Sequence, residues 1–350
     1  MRVINTEKMS NLIISCVTIC ILLLVNYLRN RQFFIENTSN ASRKLHSNSV
    51  TRIGGVSLIG FSVVFFYTNS DLIDKVILFS LIVFLIGFLE DIFNTITSSI
   101  RLLLIFFVVN LFIFYTNLNL IEIDNSFMNF ILSQNYIFSL IFTSTSLILL
   151  INGFNFIDGV NGLMLGYTII SVISFLILVQ PLNTDLEIFL LSVLIPVSIL
   201  FLVNFIFGKI LSGDGGSYLL GFLIGSICII MAKDYYINSF AIACMLFYPI
   251  IEVVFTFLRR LLKKKNPINP DGFHLHQIIF NLLVIKYNQK NINILNSATS
   301  VIILAFLVFT NFFIIFFYNQ INFALLYLFL NSLYLIAYLF LFNIYTKIKN

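Results

Sequence analysis

The sequence has few charged residues. Asp, Glu, Lys and Arg make up 10% of the 350 residues, whereas 59% are hydrophobic. A soluble domain has about 25% charged residues, and most of them lie on its surface. A chain with so few polar side chains could not cover a water-exposed surface, so a soluble domain is excluded. Because the lipid-facing surface of a membrane protein is itself apolar, the composition indicates an integral membrane protein.

Several familiar functional patterns are also missing. The four cysteines, Cys16, Cys20, Cys228 and Cys244, lie in apolar runs, and none shows CxxC spacing. We interpret them as small buried residues of helices rather than as metal or redox groups. The sequence shows no Walker A motif, GxGxxG, HExxH or Ser-His-Asp constellation.

Apolar runs of bilayer-crossing length, about 17–25 residues, recur along the chain. Several are short or interrupted by glycine, and the third is short for a full crossing. The predicted spans are 10–28, 53–70, 75–88, 102–118, 136–151, 163–180, 188–207, 217–232, 239–258, 298–318 and 321–343. The sequence therefore predicts an all-α, polytopic transmembrane bundle of about eleven helices, with residues 1–350 forming one domain.

The distribution of basic residues predicts the orientation, because cytoplasmic loops are enriched in Lys and Arg. With the N-terminus outside, only four of the 20 basic residues fall in outside segments, namely Arg2, Lys8, Lys75 and Lys233. We therefore predict an outside N-terminus and a cytoplasmic C-terminus. The basic run 259–265 fits the same rule, and contact with anionic lipid is an alternative role for it.

Five polar, glycine-rich segments fall on the cytoplasmic face in this topology, although they were not used to derive it. They are residues 43–55, 87–91, 152–163, 213–217 and 266–276. This clustering indicates one active site, assembled at the membrane surface from five separated loops.

Four of these segments carry carboxylates, and the last of them contains Asp271. Glu90 and Asp91 are adjacent at a helix end, where their repulsion calls for a compensating cation or proton, or marks an ordinary charged terminus. Asp214 lies among glycines before an apolar helix, and a helix N-terminus favours phosphate. A carboxylate there would need a cation such as Mg²⁺ between it and the phosphate, unless it only caps the helix. Asp158 precedes the span that begins near Leu163, and either a polar ligand or a helix cap explains it.

The three histidines, His46, His274 and His276, lie in inside loops near basic residues such as Lys44 and Arg52. No cysteine is nearby, so a structural zinc site does not fit, and phosphate binding fits better. Glu252 is the one acid within a predicted span, and either a functional role or a position at the interface explains it.

In this order the segments resemble those of the polyprenyl-phosphate N-acetylhexosamine-1-phosphate transferases. This superfamily, glycosyltransferase family 4, also holds the phospho-N-acetylmuramoyl-pentapeptide transferase of peptidoglycan synthesis. The resemblance covers about residues 40–280 and is greater for the UDP-GlcNAc branch. The matching residues are Arg43, Lys44, His46, Arg52, Gly54, Gly55, Asp91, Asn155, Asp158, Gly159, Gly162, Leu163, Asp214, Ser217, Pro270, Asp271, His274, Leu275 and His276. Three positions depart from the pattern, since Glu90 and Asn161 replace Asp and Gln277 replaces His.

The resemblance implies an enzyme of the bacterial inner membrane, multi-pass, with its active site facing the cytoplasm. It would transfer N-acetylglucosamine 1-phosphate, or a related N-acetylhexosamine 1-phosphate, from a UDP-sugar to undecaprenyl phosphate. UMP would be released and a lipid-linked cell-envelope glycan begun. The implied cofactor is Mg²⁺, with Mn²⁺ as a substitute. The implied partners are the two substrates, the bilayer and a second copy of the chain in a homodimer, with no nucleic acid.

The resemblance also implies roles for individual residues. The implied catalytic residues are Glu90, Asp91, Asp158 and Asp214, with Asp214 and Asp91 as the metal ligands. Asp91 or Glu90 would deprotonate the lipid phosphate or help to position Mg²⁺. The implied substrate-binding residues are Lys44, His46, Arg52, Asn155, Asn161, Ser217, His274 and His276. Of these, Asn155 and Asn161 would contact the nucleotide together with Asp158.

Two other functions are considered. One is the phospho-N-acetylmuramoyl-pentapeptide transferase reaction of peptidoglycan synthesis. The other belongs to a different class, a transporter of an anionic metabolite or a lipid-linked sugar. Transporters generally bind near the bilayer midplane on broken helices, whereas the acids of this sequence cluster at one face.

Overall fold

The computed structural model describes residues 2–31, 34–36, 50–93, 95–179, 184–264, 271–288 and 291–349. Two short strands, β1 (Ile35–Glu36) and β2 (Val50–Thr51), pair antiparallel. A 3₁₀ helix follows at Ile53–Phe66. The α-helices are α1 Arg2–Asn30, α2 Asp71–Phe93, α3 Ser98–Thr116, α4 Ser126–Gln134, α5 Tyr136–Ile157, α6 Leu163–Leu178, α7 Thr184–Phe207, α8 Gly213–Asp234, α9 Ser239–Met245, α10 Phe247–Leu262, α11 Leu275–Lys286, α12 Ile292–Phe316 and α13 Phe323–Lys349.

The predicted all-α, polytopic membrane architecture is confirmed. Within the described residues, eight helices are long and apolar enough to cross a membrane, namely α1, α2, α3, α5, α7, α8, α12 and α13. The pair α9 and α10 forms a ninth candidate, bent by 77° at its break. The third predicted span lies inside α2, which has 23 residues and is therefore long enough for a full crossing.

The predicted number of eleven crossings is not confirmed. The two remaining predicted spans correspond to shorter helices, Ile53–Phe66 with 14 residues and α6 with 16. At about 2.0 Å per residue the 3₁₀ helix extends roughly 28 Å, and α6 at 1.5 Å per residue extends roughly 24 Å. Both lengths fall below the roughly 30 Å of a hydrocarbon core. The exact count and the orientation stay predictions.

Helix α8 lies at the centre of the bundle. Of its most apolar stretch 94% is buried, compared with 17% in α13, which faces outward. Two of its glycines allow this, since a Cβ at Gly221 would lie 2.7 Å from Cα of Ile151 and one at Gly225 would lie 2.6 Å from Leu147. Small residues of this kind let membrane helices approach closely. Helix α5 therefore packs tightly against α8.

The chain around Thr51 is hydrogen bonded to the segment that leads into α8. Thr51 accepts from the N–H of Leu211 at 2.8 Å, and its own N–H donates to Lys209 at 3.1 Å. The N–H of Gly54 donates to the carbonyl of Leu211 at 2.9 Å, and that of Gly55 donates to Ser212 at 3.0 Å. This parallel pairing joins the first polar segment to the N-terminus of α8.

Candidate active site

The N-terminus of α8 is held by a carboxylate from α2. Asp91 accepts hydrogen bonds from the backbone N–H groups of Asp214 and Gly215, each at 2.9 Å. The first N–H groups of a helix lack intrahelical partners, and an acid there also complements the helix dipole. Asp91 therefore caps α8 from a neighbouring helix. Gly87, one turn earlier in α2, permits the approach, because a Cβ there would lie 2.5 Å from the carbonyl oxygen of Asp214.

The side chain of Asp214 is contacted by two further helices. Its Oδ1 accepts from Nδ2 of Asn155, in α5, at 3.0 Å. Its Oδ2 forms an ion pair with the Arg101 guanidinium of α3, and both side chains are largely buried. Asn155 Nδ2 also donates to the hydroxyl of Ser217 at 3.1 Å. Residues of α2, α3 and α5 thus meet at Asp214 of α8, the first at its backbone and the other two at its carboxylate.

Asp158 lies at the C-terminal end of α5, beside this carboxylate. Its backbone N–H donates to the carbonyl of Phe154 at 3.2 Å, which closes the last turn of the helix. Burial and the negative charge of Asp214 raise the pKa of Asp158 to about 7, and the nearby Arg52 opposes this shift. Burial and a nearby second carboxylate both favour the protonated form of Asp158.

The donor set fits a hard divalent cation. Carboxylate oxygens suit Mg²⁺, which uses one or two carboxylates plus water and phosphate rather than a full protein cage. The described residues contain no cluster of three or more His, Cys, Asp or Glu side chains with metal-site geometry. The nearness of three carboxyl groups, those of Asp91, Asp158 and Asp214, is the feature that favours a cation here.

The closing segment places His274 at the start of α11, against Glu252 of α10. Glu252 Oε2 lies 3.0 Å from His274 Nδ1, and its Oε1 accepts the N–H of Leu275 at 3.0 Å. Glu252 is 0% exposed. A buried carboxylate that bonds one imidazole nitrogen sets the tautomer and the orientation of the ring. The intramembrane acid is therefore a partner of His274.

His276 connects the closing segment to the turn after Asp158. It is 0% exposed, and a Cβ at Gly159 would overlap its Nε2, so only glycine fits at that position. The rings of His276 and His274 are stacked, 5.6 Å apart and 5° from parallel. Burial lowers the pKa of His276 to about 3, so this imidazole is neutral at pH 7.

Two buried arginines hold the start of the closing segment. Arg259 and Arg260 each donate to Asp271 Oδ1 at 3.1 Å. Burial alone would raise the pKa of Asp271, but the hydrogen bond from Arg260 and the charge of Arg259 outweigh it, and the pKa is lowered. The guanidinium of Arg260 also lies over the ring of Phe156, 5.7 Å from its centre. The basic run therefore has a structural role that its sequence did not reveal.

The structure brings five of the twelve predicted site residues together around Asp214. Asp91, Asn155, Asp214 and Ser217 are joined by hydrogen bonds, and Asp158 lies within their electrostatic reach. Lys44 and His46 lie outside the described residues. Their predicted roles, like those of the other site residues, stay predictions.

Two predicted residues have contacts that the sequence did not indicate. Glu90 accepts from the backbone N–H of Ile96 at 2.9 Å and so closes the connection from α2 to α3. Asn161 is 1% exposed, and its backbone N–H donates to Asn296 of α12 at 2.5 Å. The Glu90 side chain and the Asn161 backbone therefore make structural contacts besides the roles predicted for these residues.

Sequence reasoning missed Arg101 and Gln277. Arg101 stands alone at the start of an apolar run, and the charge count includes it only among the 16 inside basic residues, although its side chain is 15% exposed and paired with Asp214. Gln277 occupies a position where the resembled family has His. Its Oε1 accepts the N–H of His274 at 3.1 Å, an arrangement that the spacing of three residues at a helix start could have indicated.

A family model described as glycosyl transferase family 4 matches residues 74–232. This range includes Glu90, Asp91, Asp158 and Asp214, the four predicted catalytic residues. His274 and His276 lie beyond it.

Named proteins with similar sequences point to the same family. An undecaprenyl-phosphate alpha-N-acetylglucosaminyl 1-phosphate transferase of Thermotoga maritima is 29% identical over 237 residues, covering 68% of this chain and 70% of that protein. The protein of the same name in Escherichia coli is 30% identical over 136 residues, 37% of each chain. A protein of Sulfolobus acidocaldarius named as a UDP-N-acetylglucosamine–dolichyl-phosphate N-acetylglucosaminephosphotransferase is 28% identical over 207 residues, covering 54% of this chain and 61% of that protein.

Proposed function

The chain belongs to glycosyl transferase family 4, and from this membership and the site geometry we propose its reaction. It transfers N-acetylglucosamine 1-phosphate, or a related N-acetylhexosamine 1-phosphate, from a UDP-sugar to undecaprenyl phosphate and releases UMP. The relatives named above support both the sugar and the polyprenyl acceptor. The observation that carries the proposal is the convergence of Asp91, Asn155 and Arg101 on Asp214 at the N-terminus of a buried helix.

Asp214 and Asp91 are the residues proposed to hold Mg²⁺, with Mn²⁺ as a substitute. When bound, the cation would neutralise charge that develops on the departing UMP. Asn155 holds one oxygen of Asp214 in place through its amide. Because phosphoryl transfer depends mainly on positioning and charge stabilisation, such fixed side chains account for much of the catalysis.

Positive and polar groups around the acids are proposed to bind the substrates. Arg52 lies close enough to Asp158 to affect its pKa, and Arg101 contacts Asp214. Because both guanidinium groups lie beside the acids, both are proposed to contact phosphate oxygens of the substrates. Lys44, His46, His274 and His276 are proposed as further phosphate contacts, and Asn155, Asp158 and Asn161 as contacts of the nucleotide. Ser217, bonded to Asn155, completes this substrate-binding set.

Three acids are candidates for accepting a proton from the lipid phosphate. Asp91 and Glu90 were proposed on the resemblance, and both already accept backbone hydrogen bonds. Asp158 is the third candidate, because a carboxyl with a pKa of about 7 exchanges protons readily at neutral pH.

The proposal includes the setting of the reaction. The many apolar helices favour a location in a membrane, where the prenyl chain of the acceptor is soluble. The basic residues around the site favour its cytoplasmic side, where a UDP-sugar is supplied. We further propose a bacterial inner-membrane location, eleven crossings and a homodimer, and a product that begins a lipid-linked cell-envelope glycan.

Release of UMP tests the proposal directly. The purified chain in lipid nanodiscs is supplied with undecaprenyl phosphate, Mg²⁺ and a panel of UDP-sugars, including UDP-GlcNAc and UDP-MurNAc-pentapeptide. We expect UMP and a labelled, solvent-extractable lipid with UDP-GlcNAc or a related UDP-N-acetylhexosamine. Asp214→Asn should abolish both products. The matched control is Asp234→Asn, at the exposed opposite end of the same helix, which should keep the wild-type rate.

Absence of UMP with every UDP-sugar would refute the proposed function. A wild-type rate for Asp214→Asn would refute the role of that residue. Turnover with UDP-MurNAc-pentapeptide alone would move the chain to the peptidoglycan reaction.

A further inference from the structure

Asn204, in α7, ties together two segments that carry proposed site residues. Its Oδ1 accepts the N–H of Gly162 at 2.6 Å, and its Nδ2 donates to the carbonyl of Ile210 at 2.8 Å. Asn204 is 3% exposed. Gly162 ends the turn 158–162, which we call the Asp158 turn, and Ile210 lies in the segment that leads into α8. One buried amide therefore links the Asp158 turn to the approach to Asp214.

Two residues of α12 hold the Asp158 turn from another side. Asn296 Oδ1 accepts the N–H of Asn161 at 2.5 Å, and the hydroxyl of Ser300 donates to the carbonyl of Asn161 at 2.5 Å. Asn296 and Ser300 are four residues apart on one helix face, and both are 0% exposed. Both backbone polar groups of Asn161 are thus bonded to α12, a helix that lies beyond the family-model match at 74–232.

The side chain of Asn161 is enclosed. It is 1% exposed and lies over Gly208, where a Cβ would come within 2.6 Å of its Nδ2. Within the described part of the chain, neither its Oδ1 nor its Nδ2 has a hydrogen-bond partner. The backbone of Asn161, bonded on both sides, is consequently the part of this residue that the fold fixes.

We propose that Asn204, Asn296 and Ser300 are positioning residues, which hold the Asp158 turn in register with the segment before Asp214. Backbone N–H and C=O groups within an apolar bundle need hydrogen-bond partners. A turn between two helices contains such groups that neither helix can pair. If one partner is lost, the turn shifts and carries Asp158 with it. A displacement of about 1 Å can lower a rate roughly 100-fold. We call the hydrogen bonds of Asn204, Asn296 and Ser300 to this turn and to Ile210 the clamp. The effect on catalysis rests on the proposed function, whereas the clamp itself is a property of the fold.

Hydrogen exchange and UMP release together test the proposal in the full-length chain. In Asn296→Leu and Asn204→Leu, amides of the Asp158 turn should exchange about tenfold faster, because each loses a buried hydrogen bond. The kcat for UMP release per folded molecule should fall at least about tenfold, with a smaller change in the KM for the UDP-sugar. Ser300→Ala should show the same pattern, and Ser300→Thr, which keeps the hydroxyl, should restore the wild-type values.

The matched control is Asn311→Leu. Asn311 is a buried Asn of the same helix, bonded to Ser174 and Leu307, and 15 residues of helix place it about 22 Å from Asn296. Its replacement should leave exchange in the Asp158 turn and kcat unchanged.

Unchanged exchange in the Asn296 and Asn204 variants would overturn the clamp. An equal fall of kcat in Asn311→Leu would overturn the positioning role, since it would show only general destabilisation. If a Leu variant fails to fold, hydrogen exchange and kcat of Ser300→Ala and Ser300→Thr test the clamp instead, and equal values in these two variants would overturn it. If the wild-type chain releases no UMP with any UDP-sugar, the proposed function fails, while the exchange rates still decide the clamp.

Discussion

Asp91 accepts the backbone N–H of Asp214 at 2.9 Å, although 123 residues separate the two acids in the chain. The second oxygen of Asp91 accepts the next N–H, that of Gly215, at the same distance. One carboxylate thus satisfies two of the N–H groups that a helix leaves unpaired at its start. The position of Asp214 consequently depends on α2 as well as on its own helix.

The first prediction concerns this cap. Asp91→Ala removes both acceptors and should lower the free energy of unfolding by about 1 kcal/mol, the usual cost of a lost helix cap. Asp91→Asn keeps one acceptor oxygen and should lose less stability, yet it should lose nearly all UMP release because the charge is gone. Thermal melting in detergent and the UMP assay measure the two effects. Near-wild-type activity in Asp91→Asn would contradict its assignment to the reaction.

The second prediction concerns the ion pair between Arg101 and Asp214. Arg101→Ala leaves the Asp214 carboxylate without its guanidinium partner and should lower kcat/KM for the UDP-sugar at least about tenfold, or roughly 1.4 kcal/mol. Arg101→Lys keeps the charge but not the planar fork, so it should recover part of the loss. The rates of UMP release at several UDP-sugar concentrations give these values.

An exposed ion pair at the other end of the bundle provides the control. Lys75 pairs with Asp71 at 2.6 Å, and the Asp71 side chain is 83% exposed. Lys75→Ala should change neither stability nor kcat/KM measurably, because surface pairs contribute about 0–1 kcal/mol. If Arg101→Ala behaved like Lys75→Ala, the pair at Asp214 would have no part in the reaction.

The third prediction is a pH dependence of stability. Burial and the charge of Asp214 raise the pKa of Asp158 from 3.8 to about 7. Between these values the folded chain keeps a proton that the unfolded chain loses, so the contribution of Asp158 to the free energy of unfolding should fall as pH rises and level off above 7. In Asp158→Asn this titration is removed. The melting temperature of the variant, relative to wild type, should therefore increase from pH 4 to 7.

Asp271 serves as a control because its pKa is shifted in the opposite direction to that of Asp158. Its pKa is lowered because Arg260 and Arg259 outweigh the effect of burial. Its contribution to stability is thus present above the unfolded pKa of 3.8 and is lost as pH falls through the lower folded value. Asp271→Asn should be less stable than wild type at neutral pH. A melting difference for Asp158→Asn that does not change with pH would refute the raised pKa.

The fourth prediction concerns Glu252 and His274. Glu252→Ala removes the carboxylate partner of the His274 imidazole and leaves the N–H of Leu275 without its buried acceptor, which should cost about 2–4 kcal/mol. Glu252→Gln keeps an acceptor for Leu275 and should cost less. Melting temperatures measure the series, with Glu122→Ala in an exposed loop as the control. Equal melting temperatures for Glu252→Ala and Glu122→Ala would refute the structural role of this contact.

Hydropathy predicted where the helices lie. Each predicted span overlaps a helix, because a run of apolar side chains is a local signal of burial in lipid. The apolar run 75–88 is too short for a crossing, although the helix Asp71–Phe93 is not. Acids near both ends of this helix lower the hydropathy of its first and last turns, so hydropathy detects only the middle of the helix. Hydropathy could not predict that Ile53–Phe66 is a 3₁₀ helix, because helix type depends on backbone packing.

The site was predictable as a set of segments but not as a set of contacts. Glu90 and Asp91 are adjacent, and successive residues of a helix point about 100° apart, so they face different neighbours. The structure directs Asp91 to α8 and Glu90 to the N–H of Ile96. No local pattern distinguishes these two orientations, since both depend on how α2 is rotated against α8.

The sequence by itself determined the membrane class, the helical runs and the polar segments that carry acids and histidines, because each of these is a property of neighbouring residues. Only the tertiary structure decided the partners: Arg101 on Asp214, Glu252 on His274, and α12 on the Asp158 turn. Such pairs join residues far apart in the chain, and their distances follow from the packing of helices against one another. The composition of a local segment does not determine that packing.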